Sequence, residues 1–557
     1  MLDGHFWLLL IIGIKRGINM LTVSNLSLIF SDKKLFEEVN LKFTQGNCYG
    51  IIGANGAGKS TFLKLLSKDR EPTTGTVIME KDKRLAVLNQ DQNAFDEYTV
   101  LQTVMMGHKE LFEIAQEKEI LYAKEDFNDE DGIKLGELEG RFSELDGWNA
   151  EPDAEKLLNG LKVPQEDFYK LMKDVLPKNK VKVLLAQALF GTPDILLLDE
   201  PTNNLDFEAI GWLENFLMDY ENTVITVSHD RHFLNKVCTH IVDIDYHQAK
   251  IYVGNYDFWR ESSQLAQKLM MDKNKKKEER IEELKSFIAR FSANLSKSSQ
   301  ATSRKKALEK IELDEIIPSS RKYPFIGFDI DRPLGKDVLK VENLSYTLEG
   351  VKLFENVSFI INTDEKVALM GRNDLAKTTL LKILAGELKP DTGTINWGQT
   401  VSTSYLPSDN TKYFTRNDLT LVDWLRQYSK DQNESYIRGF LGRMLFSGDQ
   451  ALKKVNVLSG GEKMRLMYSK MMLSNANTLL VDSPTIHLDL ESIQAVNKGL
   501  EEFKGAILVS SHDHHLLQTI CDHVIEIGDL GAYSFEGEFD TFIEDKDIQE
   551  RVNKLYR

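Results

Sequence analysis

Three cysteines in 557 residues, Cys48, Cys238 and Cys521, are too few and too far apart for a disulfide framework, a zinc site or an iron–sulfur cluster. A reduced, cytosolic setting fits that composition. Long apolar runs are missing as well. The run Phe6–Ile14 falls well short of the roughly 20 residues that cross a bilayer, and no lysine or arginine precedes it as in a secretory signal. We read residues 1–19 as an N-terminal extension or a misplaced start, with Met20 opening the first domain, and expect no membrane span. Positive charge is also in deficit. A net charge of −17 excludes a protein that coats nucleic acid with its whole surface, though it leaves room for a local basic element.

What the chain does contain is a duplication. Leu26-Ser27 and Phe36 recur 318 positions later as Leu344-Ser345 and Phe354, and Gly53, Lys59 and Pro72…Gly75-Thr76 recur as Gly371, Lys377 and Pro390…Gly393-Thr394. Further on the offset is 283: Asp199 to Asp482, Pro201-Thr202 to Pro484-Thr485, Leu205-Asp206 to Leu488-Asp489, and Ser228-His229-Asp230 to Ser511-His512-Asp513. The change of offset from 318 to 283 means that the first copy carries 35 extra residues. A chain of this length with such a repeat holds at least two cores. The surplus fits the acidic, helix-favouring stretch Met105–Asn149, read as a helical arm, because a structureless insertion of that length is uncommon in a compact domain.

The first copy carries a recognisable chemistry. In "NCYGIIGANGAGKSTFLKLL" an apolar strand, a glycine-rich turn and an amphipathic helix follow one another, the context that a phosphate-binding loop requires. Gly53, Ala54, Asn55, Gly56, Ala57 and Gly58 let backbone N–H groups close around phosphate oxygens; Lys59 pairs with β and γ oxygens, and Ser60, followed by Thr61, ligates Mg²⁺. The run "PDILLLDEPTNNLD" ends an apolar strand in two carboxylates. Asp199 holds the magnesium through water, and Glu200 takes a proton from an attacking water. "TVITVSHD" then delivers His229 toward the γ-phosphate.

Motifs in this order resemble the ATP-binding cassette superfamily. Two cassettes on one chain without membrane spans resemble its family F, and within it the bacterial translation factors of the ribosomal exit site. The resemblance implies an α/β fold class: two tandem ABC-type P-loop ATPase domains joined by an α-helical coiled-coil hairpin linker. It implies ATP and Mg²⁺ as cofactors. Carried over by position, it implies that Phe30 stacks on adenine and that Gln90 senses Mg²⁺ and water. It also implies that "LSGGEK" is the cassette signature, with Ser459, Gly460, Gly461 and Glu462 facing nucleotide held by the other copy, head to tail.

The second copy departs from this pattern. Its loop, Gly371, Arg372, Asn373, Asp374, Leu375, Ala376, Lys377, Thr378 and Thr379, has Asp374 for Gly56 and Ala376 for Gly58; Leu348 stands for Phe30, Ser408 for Gln90 and Ser483 for Glu200. A carboxylate beside a polyanion and a Cβ against phosphate both oppose binding. In the first copy "VLPKNK", Val175 to Lys180, stands where the signature should be. By the head-to-tail geometry these losses belong to one composite site. One site is therefore expected to be competent, and the other, around Lys377, Thr378, Asp482 and His512, to hold nucleotide weakly or to act as a clamp.

Between the copies, Ser262–Leu313 lacks proline, and Ile281, Leu284, Ile288 and Phe291 are spaced as a coiled-coil seam. The polar stretch Ser292–Ser303 reads as the tip of a hairpin. Lys275-Lys276-Lys277, Lys297 and Arg304-Lys305-Lys306 make the segment basic; that is either a solvated helical face or a phosphate-backbone contact, and the resemblance implies the latter. The expected partners are the ribosome, its rRNA and tRNA, reached through linker and arm by a monomeric chain, with no DNA. The expected domains are 20–244, 245–330 and 331–557. Two other classes remain: the ATP-binding subunit of a membrane transporter, and an antibiotic-resistance ribosomal protection protein. A DNA-repair cassette is disfavoured by the low cysteine count.

Overall fold

A computed structural model of the chain describes residues 19–30, 33–291, 303, 305, 306, 308, 321–416 and 418–557. The run Phe6–Ile14, Lys297, Arg304, Ile311 and all of the hairpin tip except Ser303 lie outside the described residues.

The first half runs β1 (Asn19–Phe30), β2 (Lys33–Thr44), β3 (Cys48–Gly53), α1 (Lys59–Leu66), β4 (Thr74–Met79), β5 (Leu85–Val87), α2 (Lys109–Tyr122), α3 (Asp129–Glu144), α4 (Pro177–Leu189), β6 (Ile195–Asp199), α5 (Phe207–Met218), β7 (Thr223–Val227), α6 (Arg231–Val237), β8 (His240–Asp245) and β9 (Gln248–Val253). Strands β2-β1-β4 form an antiparallel sheet, and β5-β6-β7-β3-β8-β9 a second sheet, parallel except for β9. "ILLL" of β6 is fully buried, as a parallel strand covered on both faces must be. Phe36, Phe62, Leu197 and Ile225 fill the space between the sheets, and Leu158, Leu184 and Phe233 belong to the core on the other side.

After α7 (Tyr256–Phe291) the second half repeats the plan: β10 (Asp337–Leu348), β11 (Val351–Asn362), β12 (Lys366–Met370), α8 (Asp374–Leu384), β13 (Thr392–Trp397), β14 (Thr403–Leu406), α9 (Gly460–Leu473), β15 (Thr478–Asp482), α10 (Leu490–Glu501), β16 (Ala506–Ser510), α11 (His514–Ile520), β17 (His523–Gly528), β18 (Gly531–Glu536) and α12 (Lys546–Asn553). Its sheets are ordered β11-β10-β13 and β14-β15-β16-β12-β17-β18. Even register is shared: Leu21 opposes Met79 as Leu339 opposes Trp397. The repeated Gly-Thr turns have a steric cause. A Cβ on Gly75 would lie 2.3 Å from the Asn25 carbonyl oxygen, and one on Gly393 2.6 Å from that of Asn343.

Helices α2 and α3 occupy the stretch read as an arm. They pair through Arg141 to Glu110 at 2.7 Å and Lys134 to Glu117. α7 is one 36-residue helix in which Leu284 is buried, Ile281 and Ile288 partly so, and Lys275 and Lys276 exposed.

The segment read as 245–330 touches both halves at its ends. β9 completes the first half's sheet, while Ile326 is buried in the second half's core and the Phe325 N–H donates to the Arg443 carbonyl at 2.9 Å. Backbone pairing and burial, which composition does not reveal, pack both ends of that segment against the flanking halves. The halves meet where α6 faces α11: the rings of His232 and His514 stack at 4.1 Å, and Arg231 Nη1 lies 2.7 Å from His515 Nε2.

Candidate active site

The parallel sheet of the first half brings four chain segments to one edge. The loop after β3, the carboxylates ending β6, the segment after β5 and the one after β7 all lie at the carboxyl ends of neighbouring strands, where open α/β sheets form their crevice. Gly56 (φ 79°) and Gly58 (φ 97°) carry the loop through left-handed conformations, and a Cβ on Gly58 would lie 2.8 Å from Leu35 Cδ2. Helix α1 starts at Lys59, and its N-cap, Gly58, has no side chain to satisfy the first N–H groups. They are left for an anion.

Lys59 folds back over the loop and donates from Nζ to the Gly53 carbonyl at 2.9 Å. Burial pushes its pKa down, opposed by the charges of Glu200, Glu491, Asp489 and Asp199. Ser60 and Thr61 line an inter-half cleft of about 890 Å³, together with Glu200 and His229. Asp199 Oδ2 accepts from Gln90 Nε2 at 3.0 Å, whereas its Oδ1 is buried without a partner. An orphaned carboxylate oxygen beside a hydroxyl and an amide oxygen fits a hard divalent cation such as Mg²⁺.

Glu200 sits at φ 52°, its N–H bonded to the Val227 carbonyl at 2.8 Å, so its side chain turns into the cleft. Oε2 accepts from the His229 N–H at 3.2 Å, and Oε1 is buried without a hydrogen-bond partner, 3.4 Å from His229 Nε2. Burial pushes its pKa up to about 8; the His229 N–H opposes this, the Asp199 charge adds to it, and Lys59 opposes it. Burial and Lys59 push His229 down to about 3, so its imidazole is neutral near pH 7. A carboxyl tuned close to neutrality suits a proton acceptor.

The second half keeps the backbone and changes the side chains. Ser483 has φ 53° and bonds from N to the Ser510 carbonyl at 2.8 Å, repeating Glu200 without its carboxylate. Asp482 is fully engaged: Oδ2 accepts from Thr378 Oγ1 at 2.7 Å and Ser408 Oγ at 2.8 Å, and Oδ1 from Ser483 Oγ at 3.4 Å. The loop expected as a cradle, Gly371–Thr379, is built differently from that of the first half. α8 begins at Asp374, three positions earlier than the repeat of Lys59, and the Asn373 side chain caps it by accepting from the N–H groups of Leu375 (3.0 Å) and Ala376 (3.4 Å). Replacing both left-handed glycines allowed the helix to extend backward and close on the donors that phosphate would need.

The two expected walls fare differently. Pro177 and Lys178 line the cleft with Asp374, Thr378 and His512, so the second composite site is assembled. Ser459, Gly460, Gly461 and Glu462 do not line the cleft; Ser459 and Glu462 cap each other reciprocally, and His487 stands at the cleft with Gly460 against its ring. Lys59 with its loop and the N-terminus of α9 are both donor walls, and they do not pair directly. Sequence reasoning missed His487, Asn373 as a cap, and the approach of Asp489 and Glu491 to Lys59. Only Asn373, an Asn before a helical run, carried a local signal. The Phe30 side chain lies outside the described residues; its backbone ends β1.

Family profiles described as ABC transporter match residues 36–203 and 354–486, and another of the same description matches 242–328. The uncharacterized ABC transporter ATP-binding protein YkpA of Bacillus subtilis (strain 168) is 61% identical over 538 residues, 96% of this chain and 100% of that protein. The probable ATP-binding protein YbiT of Escherichia coli O157:H7 is 45% identical over 95% of this chain and 100% of its own. The ABC transporter F family member 2 of Arabidopsis thaliana is 32% identical over 96% of this chain and 80% of its own. The chain belongs to the ABC-F family of ATP-binding proteins. This ABC-F protein is thus an ATPase with two cassette domains. Its fold is shared with an archaeal ribosome recycling factor, aABCE1, solved in complex with the ribosomal stalk protein aP1: TM-score 0.59, 16% identity, covering 96% of this chain and 99% of that one. Among the described residues no helix is long and apolar enough to cross a membrane.

Proposed function

We propose that this ABC-F protein is a cytoplasmic ATPase that binds the ribosome when its halves close on ATP and that modulates translation through its linker. One observation carries the reading: a 36-residue helix between the cassettes that exposes Lys275 and Lys276, with Lys305 and Lys306 exposed beyond it. In an acidic chain, such a local basic element suits phosphate-backbone contact with structured RNA. The complex with a ribosomal stalk protein in which the ribosome recycling factor aABCE1 was solved supports the same direction. A transporter subunit needs no such helix.

Turnover belongs to the first site. Lys59 and the open N–H groups after Gly53 hold the phosphates. Ser60, Asp199 and Gln90 would hold Mg²⁺, which supplies charge neutralisation at the β and γ oxygens. Glu200 accepts the proton of the attacking water, and neutral His229 donates toward the γ-phosphate. The α9 N-terminus, with Ser459–Glu462, closes over that phosphate because the anion satisfies donors on both walls. Closure follows only if ATP favours the closed state over the open one.

Cosedimentation tests this. With a nonhydrolysable ATP analogue the chain should pellet with ribosomes and not with membrane vesicles, and Glu200→Gln should do so with ATP itself. Pelleting that ignores nucleotide, or that follows the vesicles, would overturn the reading.

A further inference from the structure

We propose that Asp374 is a built-in substitute for the terminal phosphate at the second composite site, and that through Lys178 it latches the two halves together there without nucleotide. This deepens the ATPase reading and rests on it. The two walls of a composite site both lack an acceptor for their donors. Each presents donors and positive charge, so something anionic must lie between them. At the first site the charges of Asp489 and Glu491 act on Lys59, but among the described residues no carboxylate pairs with it, and its Nζ bonds only to the Gly53 and Ala54 carbonyls. At the second, the chain supplies the anion.

The Asp374 carboxylate is placed where it gathers the groups that would otherwise grip a γ-phosphate. Oδ1 lies 2.9 Å from Lys377 Nζ and 2.9 Å from His512 Nε2, the repeats of Lys59 and His229. Oδ2 lies 2.7 Å from Lys178 Nζ. Lys178 comes from the first half, at the position where the intact signature has Gly461, and it stands in the first turn of α4. A lysine there opposes its own helix dipole, and an acceptor in the other half offsets that cost. Asp374 occupies the first turn of α8, where a carboxylate is favoured. Burial raises its pKa, but the His512 hydrogen bond, the charges of Lys377 and His512 and the Lys178 hydrogen bond outweigh burial and hold it well below the usual carboxylate range.

Neighbouring polar groups of this site are already partnered within the chain. Asn373 takes the first helical N–H groups, and Thr378 and Ser408 saturate Asp482. The Arg372 N–H donates to Tyr556 Oη at 3.1 Å, and its guanidinium lies 4.2 Å from that ring's centre, so the C-terminal residues rest on the loop. The buried side-chain atoms left without hydrogen-bond partners include Asp199 Oδ1, Glu200 Oε1 and His229 Nδ1 of the first site; none belongs to Asp374, Lys377, Asp482, Ser483 or His512. One site is polar and unsatisfied, the other polar and closed.

Two measurements on the full chain test the proposal. Equilibrium dialysis with Mg²⁺ and AMP-PNP should give one nucleotide per chain. Two would overturn the proposal while leaving the ATPase reading intact; none would remove the ATPase reading and the proposal with it. Spin labels on cysteines introduced at exposed Lys173 and Lys389 report the inter-half distance across this site, the three native cysteines being buried. In the wild type that distance should not change when AMP-PNP is added. Without nucleotide, Lys178→Ala and Asp374→Asn should lengthen and broaden it, and Lys178→Arg should keep the wild-type distribution. If both Lys178→Ala and Asp374→Asn superpose on the wild type, there is no latch.

Discussion

At the scale of single residues, the two copies differ most where they share a backbone. Glu200 and Ser483 adopt the same left-handed turn, φ 52° and 53°, and make the same bond to the neighbouring strand. The turn is thus a property of the fold, and the side chain set on it decides whether a proton can be taken. Glu200→Gln should lower ATP turnover by about 100-fold or more, read by phosphate release. The pH response follows from the same group. The folded chain holds the Glu200 proton up to about pH 8, against an ordinary value of 4.5. Between those values the folded state binds the extra proton, so this residue makes stability fall as pH rises from 4.5 toward 8. Thermal melts of Glu200→Gln should therefore lie above wild type at pH 8 and converge on it near pH 4.5. Over the same range kcat/KM for ATP should rise as Glu200 loses its proton, then level above about 8. Ser483→Glu, by contrast, should leave phosphate release unchanged, because a base there faces Asp374 rather than ATP.

At the scale of elements, the start of a helix decides what its loop can hold. α1 begins after a left-handed glycine with no capping side chain, and α8 begins three positions earlier under Asn373. Gly58→Ala should abolish AMP-PNP binding in equilibrium dialysis, since its Cβ would meet Leu35 at 2.8 Å and φ 97° is strained for alanine. The return end of the linker carries a second device. Arg321 is buried over Trp259, pairs with Asp243 of the first half, and lies 3.0 Å from Glu491 of the second. Removing one partner of a buried ionic network strands the others, so Arg321→Ala should cost about 3–5 kcal/mol in urea denaturation.

At the scale of the whole molecule, an acidic chain presents its basic charge on a segment between two cassettes. Replacing Lys275, Lys276, Lys305 and Lys306 with alanine should weaken ribosome binding and flatten its salt dependence, while ATP turnover without ribosomes stays as in the wild type. Much of this organisation was legible in order and spacing. The duplication, the placing of Lys59, Ser60, Asp199, Glu200 and His229 around one cleft edge, and the serine at the repeat of Glu200 all follow from local motifs, because a strand–turn–helix places its own phosphate loop and a strand end places its own carboxylates. What only the tertiary structure decided are the contacts that join distant segments. The pairing of Lys178 with Asp374 spans 196 residues and two domains. Sequence showed each of the two as a defect, a lysine in place of a glycine and an aspartate in place of another. Their meaning as a pair needed the head-to-tail approach of the halves, since an ion pair depends on separation in space and leaves no mark on either residue's neighbours.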